Sequence, residues 1–390
     1  VPFEQAAELV RRCATGHGFI ACPSLDHYNG VWARDAALIG LGALTLGEES
    51  LTESAAATVD TLFSHASGLG QVPAVVWPQR GRWDWGEGGV VDATAWTVIL
   101  AAAVVKAVGD LRDGWKTGIE AALRWMSYQD VTGSGLISAA PSTDWMDAAL
   151  TRSGRTLNLN VLYAWAASSA SELGLEGPDP EDLRRRVNLL FWPDSRSDLG
   201  ALYPHGFGHE ASRVAFMEAA AATRRHYLSH VVHAAFVDRC DVLANLLAIV
   251  AGVADRGRAL LILDYLDRVG IIDPYPTRSF PEAIPVSDPS GMWLTMAEAV
   301  IPTRWRNRPG RYHNGAVWPY IGGIHAWASA LTGRRWEAER ILHHLKAANR
   351  LGDGFPEWIH PDTGEPAGAS LQGWNAGTYL LAEAAIAAVR

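Results

Sequence analysis

Two carboxylates in this chain stand in company suited to proton transfer. Glu357 lies between Pro356 and Trp358, just ahead of the turn formers Pro361, Asp362, Gly364 and Pro366, so it sits on a loop feeding the helical apolar spacing that resumes at Leu371. A carboxylate so placed reads as a base that activates water. Asp147 closes the run Thr143-Asp144-Trp145-Met146-Asp147. A carboxyl that protonates a glycosidic oxygen needs a raised pKa, and the apolar neighbours Trp145 and Met146 predict one by desolvation. Asp144 competes for the role of acid, and one of the two is then a cap or a hydrogen-bond partner. In an inverting hydrolase acid and base stand roughly 6.5–9.5 Å apart with the attacking water between them. Residues this distant in sequence meet only if the loops carrying them converge at one mouth.

Two further segments carry polar groups into helices. Tyr28-Asn29-Gly30-Val31-Trp32-Ala33-Arg34-Asp35 is a loop running into a helix, in which Arg34 and Asp35 suit hydroxyl binding and Trp32 a wall. Arg311-Tyr312-His313-Asn314-Gly315 enters a helix at Trp318-Pro319, and His313 and Asn314 both donate and accept. Tryptophan is the compositional outlier, at 17 of 390 residues. Several lie beside polar residues and glycines, among them Trp77, Trp83, Trp85, Trp145, Trp318, Trp358 and Trp374, where an indole face suits stacking on a sugar ring. Histidines gather at His205, His209, His226, His230 and His233, and His226 with His230 has the spacing of a helical metal pair. No HExxH accompanies them, and neither a metal nor another cofactor is expected.

The elements that must position these groups are helical. Apolar spacing predicts helices over 3–14, 32–46, 51–65, 92–108, 115–129, 157–173, 180–190, 212–227, 241–254, 256–268, 315–331, 335–350 and 371–389. The best strand signal is short, Gln71 to Trp77. Long loops rich in Trp, Gly, Pro and acids alternate with brief polar ones, which predicts one end of the molecule bearing the long loops. About a dozen helices in a chain of this length match an all-α (α/α)6 barrel, a toroid of six inner and six outer helices, with alanine- and glycine-rich stretches such as 101–108 and 249–254 in the inner ring. No Pro/Ser-rich linker divides the chain, so residues 1–390 read as one catalytic domain.

Charge and cysteine content narrow the partners. A formal charge of -9, with no basic block beyond Arg184-Arg185-Arg186, gives no footprint for nucleic acid or anionic membrane and favours a small neutral substrate. Cys13, Cys22 and Cys240 form no CxxC pair, and a reducing cytoplasm is the expected compartment. The longest apolar run ends at Lys106, too short to span a bilayer. The chain opens on Val1 without an initiator Met, so residues removed from the N-terminus are expected. A homo-oligomer is compatible with this composition.

The set SLDHYNGVWARD, DWGEGGVVDATAW, DWMDAALTRSGR, RYHNGAVWPY and GFPEWIHPDTGEPAG resembles the neutral/alkaline invertases and is similar to the glucosidase domain of glycogen-debranching enzymes and to the processing α-glucosidases. It spans nearly the whole chain. The resemblance implies a six-hairpin toroid and an inverting mechanism with an Asp acid and a Glu base, matching Asp147 and Glu357. It places Trp32, Arg34, Asp35, Asp92, His313, Asn314 and Trp318 at the sugar, beside the candidates Tyr28, Trp77, Asp144, Trp145, Trp358 and Trp374. The invertases carry a basic pair directly after the acid, where this chain has Ala148-Ala149. An exo-type hydrolase of a small α-glucoside or sucrose-like substrate is therefore expected, without preference for sucrose. Two other readings use the same features: a sugar 2-epimerase on the same toroid, relying on His313 and His325, and a carbohydrate-binding protein without turnover.

Overall fold

The computed structural model describes residues 2–86, 89–147, 150, 152–203, 210–232, 235–285, 287–288 and 307–389. Its helices are α1 (Pro2–Cys13), α2 (Ala33–Leu44), α3 (Glu49–Ser64), α4 (Asp92–Val108), α5 (Trp115–Ser127), α6 (Leu157–Glu172), α7 (Pro180–Phe191), α8 (Glu210–Ala221), α9 (Val242–Val250), α10 (Arg256–Arg268), α11 (Pro319–Leu331), α12 (Arg335–Ala348) and α13 (Gly373–Ala388). Each predicted helix has an observed counterpart.

Six of them, α2, α4, α6, α9, α11 and α13, are buried on nearly every face, as their apolar sequences require. Each packs on the next in that order and α13 packs back on α2, which closes the ring. Small residues permit the closure. A Cβ at Gly42 would stand 2.3 Å from the Gly377 carbonyl oxygen, and one at Gly377 would stand 2.4 Å from the Leu38 carbonyl oxygen, so backbones touch where α2 meets α13. The outer helices α1, α3, α5, α7, α10 and α12 cover this ring with their apolar stripes. The all-α toroid expected from the sequence is the observed fold.

Helix starts are set locally. Thr156, Asp179, Asp241 and Asp255 cap α6, α7, α9 and α10 through their side chains, and proline opens α7 and α11. The helix expected over 315–331 begins instead at Pro319, because the preceding segment is drawn into an isolated antiparallel bridge between Val317 and Ile359. The helix expected over 212–227 ends at Ala221, where the Arg224 guanidinium turns back to donate to the Ala219 carbonyl at 2.6 Å. This segment, α8, stands outside the twelve-helix ring. His226 and His230 therefore share no helix: His226 Nδ1 lies 2.9 Å from the Tyr227 carbonyl oxygen, and His230 is in a strand. His205, His209 and His233 lie outside the described residues. Among the described residues no group of three His, Cys, Asp or Glu could hold a metal, and no helix is long and apolar enough to cross a membrane.

The sheets are short, and most escape sequence reading. The expected strand narrows to β4 (Val75–Trp77), between β3 (Val31–Trp32) and β5 (Arg82–Asp84) in an antiparallel sheet with Trp32 opposite Val75, Val75 opposite Asp84 and Trp77 opposite Arg82. A second sheet joins β6 (Arg155–Thr156), β7 (His230–Val232) and β8 (Ala235–Val237). Two-stranded pairs form from β1 (Ala14–Thr15) with β2 (Gly18–Phe19) and from β9 (Trp358–Ile359) with β10 (Pro366–Ala367).

Candidate active site

A cavity of about 660 Å³ opens at the end of the ring where the N-termini of α2, α4, α11 and α13 converge. Its volume falls in the range of small-molecule sites. Of the residues expected from sequence it is lined by Tyr28, Trp32, Arg34, Asp35, Trp77, Asp92, Trp145, Asp147, His313, Trp318, Glu357 and Trp374.

Three expected residues point elsewhere. Asn314 is fully buried and serves the backbone: its Nδ2 donates to the carbonyls of Ile284 and Asn307, at 3.0 and 2.9 Å, while its Oδ1 accepts from the Ile284 N–H. Asp144 is buried against Arg152, with a carboxylate oxygen 2.7 Å from Nη2, and its Oδ1 accepts from the Met146 N–H at 3.0 Å. Arg152 also pairs with Asp241, the cap of α9, so Asp144 anchors the Asp147 loop to the ring and stays out of the cavity. Trp358 lies in β9 with its ring 6.4 Å from that of Tyr312, behind the lining. His325 is likewise outside the cavity; it is buried in α11 with Nδ1 3.2 Å from Thr277 Oγ1, and burial pushes it down to about 3. The histidine pair of the epimerase reading is thus not assembled in one site.

Five polar or aromatic lining residues escaped the sequence reading: His27, Arg82, Asp84, Tyr312 and Gln372. Tyr312 falls inside a motif in which only His313, Asn314 and Trp318 are expected at the sugar. Arg82 and Asp84 flank Trp83 on β5, and only a strand assignment would have revealed that they share one face.

The aromatic floor is one contiguous cluster. Trp374 stacks on Tyr320 at 4.3 Å, Trp318 stands edge-on to both Trp145 and Trp374, and His313 lies parallel to Trp318 at 5.3 Å. Four non-glycine residues adopt positive φ among the described residues, Ser142, Tyr312, Phe355 and Leu371, and each lies within three residues of a lining residue. Such left-handed conformations cost of order 1 kcal/mol each and gather where geometry is over-determined for function.

Glu357 is held at both oxygens. Its Oε2 accepts from the Ala369 N–H at 2.9 Å and its Oε1 from the Tyr28 hydroxyl at 3.3 Å. Burial pushes Glu357 up to about 7, against the opposing pull of those donors. Burial and the Glu357 field keep Tyr28 and Tyr312 as protonated phenols, able to donate. Gly368, at φ +76°, leaves room for the carboxylate, since a Cβ there would stand 2.2 Å from Oε2. Gly368→Ala is therefore expected to displace Glu357 and lower kcat by about 100-fold, the scale of a 1 Å misplacement, with far-ultraviolet circular dichroism unchanged; steady-state kinetics at wild-type rate would contradict it.

Asp147 behaves differently from the expectation of a raised pKa. Burial alone would raise it, but His313 Nε2 at 3.4 Å from Oδ1 and the Arg34 guanidinium at 3.5 Å from Oδ2 hold it below the ordinary carboxylate value. Met146 is fully buried in the core and so supplies no wall. Burial likewise keeps His313 below its usual value, hence neutral near pH 7. Arg34 is itself fixed by Asp92 at 2.6 Å, in the first turn of α4. Burial raises both Asp92 and Asp35, the latter to about 7, although Arg34 opposes each shift. Of the two candidate acid/base groups, Asp147 is thus poised to stay ionised and Glu357 to hold a proton as pH falls below about 7.

No protein-family model matches the chain. It is 23% identical over 340 aligned residues to a probable alkaline/neutral invertase F of Arabidopsis thaliana, covering 77% of this chain and 66% of that protein. It is 22% identical to the chloroplastic alkaline/neutral invertase E of the same plant, covering 98% of this chain and 72% of that one. The chain therefore spans about two thirds of the length of these invertases. Among solved structures, a GH63 mannosylglycerate hydrolase from Thermus thermophilus, in complex with Tris and D-glycerate, superposes with a TM-score of 0.65 at 18% identity, covering 98% of this chain and 99% of that one. A glycosidase variant in complex with glucose superposes with a TM-score of 0.62 at 14% identity, covering 100% and 97%. The relationship these matches draw is to the α/α-toroid glycoside hydrolases.

Proposed function

We propose that this protein is an inverting exo-type glycoside hydrolase of a small α-glucoside or sucrose-like substrate, with Asp147 as general acid and Glu357 as general base. The observation that carries the reading is the pair of carboxyls sharing one walled cavity, one of them proton-bearing near neutrality. Glu357 takes a proton from the water that attacks the anomeric carbon, and Asp147 protonates the departing oxygen. Trp32, Trp145 and Trp318 wall the sugar, while Asp35, Arg34 and His313 read its hydroxyls.

Below about pH 7 the empty site carries one proton between the two carboxyls, and that proton resides on Glu357. A sugar lying against Asp147, whose side chain is 41% exposed in the cavity, strips water from it and moves its pKa up. The proton then sits where the leaving group needs it. The singly protonated pair is the active form, so kcat/KM falls as pH rises through about 7 and falls again in acid, below the ordinary carboxylate range. A kcat/KM profile still climbing at pH 8 would count against this pair.

The test of substrate is release of sugar from sucrose, maltose, isomaltose, trehalose, glucosylglycerate and mannosylglycerate, with the first-formed anomer followed by NMR. Inverted product, lost in Asp147→Asn, supports the proposal; retained configuration or full turnover by that variant overturns it.

A further inference from the structure

Two of the tryptophans that stand beside polar residues and glycines, Trp83 and Trp85, take no part in lining the catalytic cavity. They belong to a hairpin whose other face does line it. Strand register sets Arg82 beside Trp77 and Asp84 beside Val75, and these four face the cavity. Side chains alternate across a strand, so Trp83 falls on the opposite face, and Trp85, one residue past β5, continues that alternation. The Val90 N–H donates to the Trp85 carbonyl at 2.9 Å and ties the chain down just beyond the strand.

Trp83 is anchored yet open. It stands opposite the fully buried Val76 and edge-on to His65, with ring centroids 5.1 Å apart, but 47% of it remains exposed. His65 is itself fixed, with Nδ1 2.8 Å from the Thr61 carbonyl oxygen. A carbonyl only accepts, so Nδ1 is the donor and Nε2 of the neutral ring is left as an acceptor. Trp85 is half-buried.

The size and surroundings of these rings decide what covers them. Two indoles offer at most about 500 Å² even when bare, well below the roughly 800 Å² a side of a stable protein interface. The groups around them are polar: Arg82 and Asp84 along the strand, and the ion pair of Arg80 with Asp26 beyond the turn. An aromatic face bordered by hydrogen-bonding groups matches a pyranose, which is apolar on its C–H face and hydroxylated at its edge. Alternate residues of a strand stand about 7 Å apart, so the two indoles suit neighbouring rings of one chain better than a single ring.

We propose that the outer face of the β4–β5 hairpin is a second carbohydrate site, in which Trp83 and Trp85 stack on neighbouring glucosyl rings of an α-linked oligosaccharide and His65 accepts from a hydroxyl. It lies outside the cavity and holds chains longer than the small glycosides cleaved within. The choice of α-linked glucose rests on the glycoside hydrolase reading, whereas the platform does not.

The test reads binding apart from turnover. Full-length Glu357→Gln protein is titrated calorimetrically with maltose, maltoheptaose and isomaltoheptaose. At least one heptasaccharide should bind about 10-fold or more tighter than maltose, and adding either Trp83→Ala or Trp85→Ala should weaken it about 10-fold, the scale of one aromatic contact. The two together should bring it to the level of maltose, while Trp83→Phe, which keeps a ring, should stay within about threefold of the parent. Neither indole lines the cavity, so maltose affinity should not move, nor should kcat/KM on a cleaved disaccharide in protein retaining Glu357. Circular dichroism checks the fold of each variant. Heptasaccharides bound no better than maltose, a preference indifferent to both indoles, or disaccharide turnover that falls with them overturns the inference. Heptasaccharide binding without turnover of any glycoside would overturn the hydrolase reading alone.

Discussion

Glu357→Gln is expected to lower kcat by about 10²–10⁴-fold, the usual contribution of a positioned base, and at the same time to make the protein more stable at alkaline pH. The two effects have one origin. Glu357 is buried, and its carboxyl rises from the ordinary 4.5 to about 7 because ionising it in the cavity wall is costly. A group whose folded value exceeds its unfolded value adds stability in full below about 4.5 and loses it as pH climbs through 7. Over that window the wild-type protein forfeits about 3 kcal/mol of stability that the neutral amide does not. Glutamine still accepts from the Ala369 N–H and donates to the Tyr28 oxygen, so no buried polar group is orphaned. Urea unfolding should therefore show the variant ahead of wild type at pH 8 and level with it at pH 4. A variant less stable than wild type at pH 8 would mean that Glu357 is not confined as described.

Arg152→Met gives the largest expected loss of stability, about 3–5 kcal/mol, because it strands two buried carboxylates. The Arg152, Asp144 and Asp241 side chains are 6%, 3% and 0% exposed, so water cannot replace the lost cation. The replacement also frees the segment carrying Asp147, and kcat should fall further than KM rises. Removing the charges together separates clamp from fold. The triple variant Arg152→Met, Asp144→Asn, Asp241→Asn should recover a large part of the lost stability, since an uncharged set of similar volume has no unpaired ion to bury. A single variant that unfolds within about 1 kcal/mol of wild type in urea, or a triple variant less stable than the single one, would rule out the clamp.

What could be read from the sequence follows from how local each signal is. The inner helices declare themselves because a helix buried on all faces must be apolar throughout, as in the stretch from Asp92 to Val108. The strands do not, because β3 and β4 are two and three residues long and pair across more than forty positions. No periodicity accumulates in so few residues. The site shows the same division. Motifs entering helix N-termini led to Trp32, Arg34, Asp35 and Trp318. Neighbours such as His313 and Asn314 could not be separated, since residue type alone suits both to hydroxyls and only the backbone at Tyr312, with φ 48°, turns one into the cavity and the other into the wall. The sign of the Asp147 shift was misjudged for a related reason. Its sequence neighbours are apolar, but its spatial neighbours Arg34 and His313 arrive from distant segments.

The contact of Gly42 with Gly377 gives the chain a temporal order. Because α2 closes only on α13, synthesis must pass the last inner helix before the ring can shut, and until then the apolar edges of α2 and α11 have nothing to cover them. The loop of Glu357 is also tied to the beginning of the chain, through the Gly373 N–H to the Ala21 carbonyl and through Cys22 and Ser24 to the Ser370 carbonyl. Closure of this kind, between segments at far ends of the sequence, makes folding slow and leaves the open intermediate prone to association. An unclosed ring is consequently an inactive one, and recovery of catalysis during refolding serves as a clock for the arrival of α13.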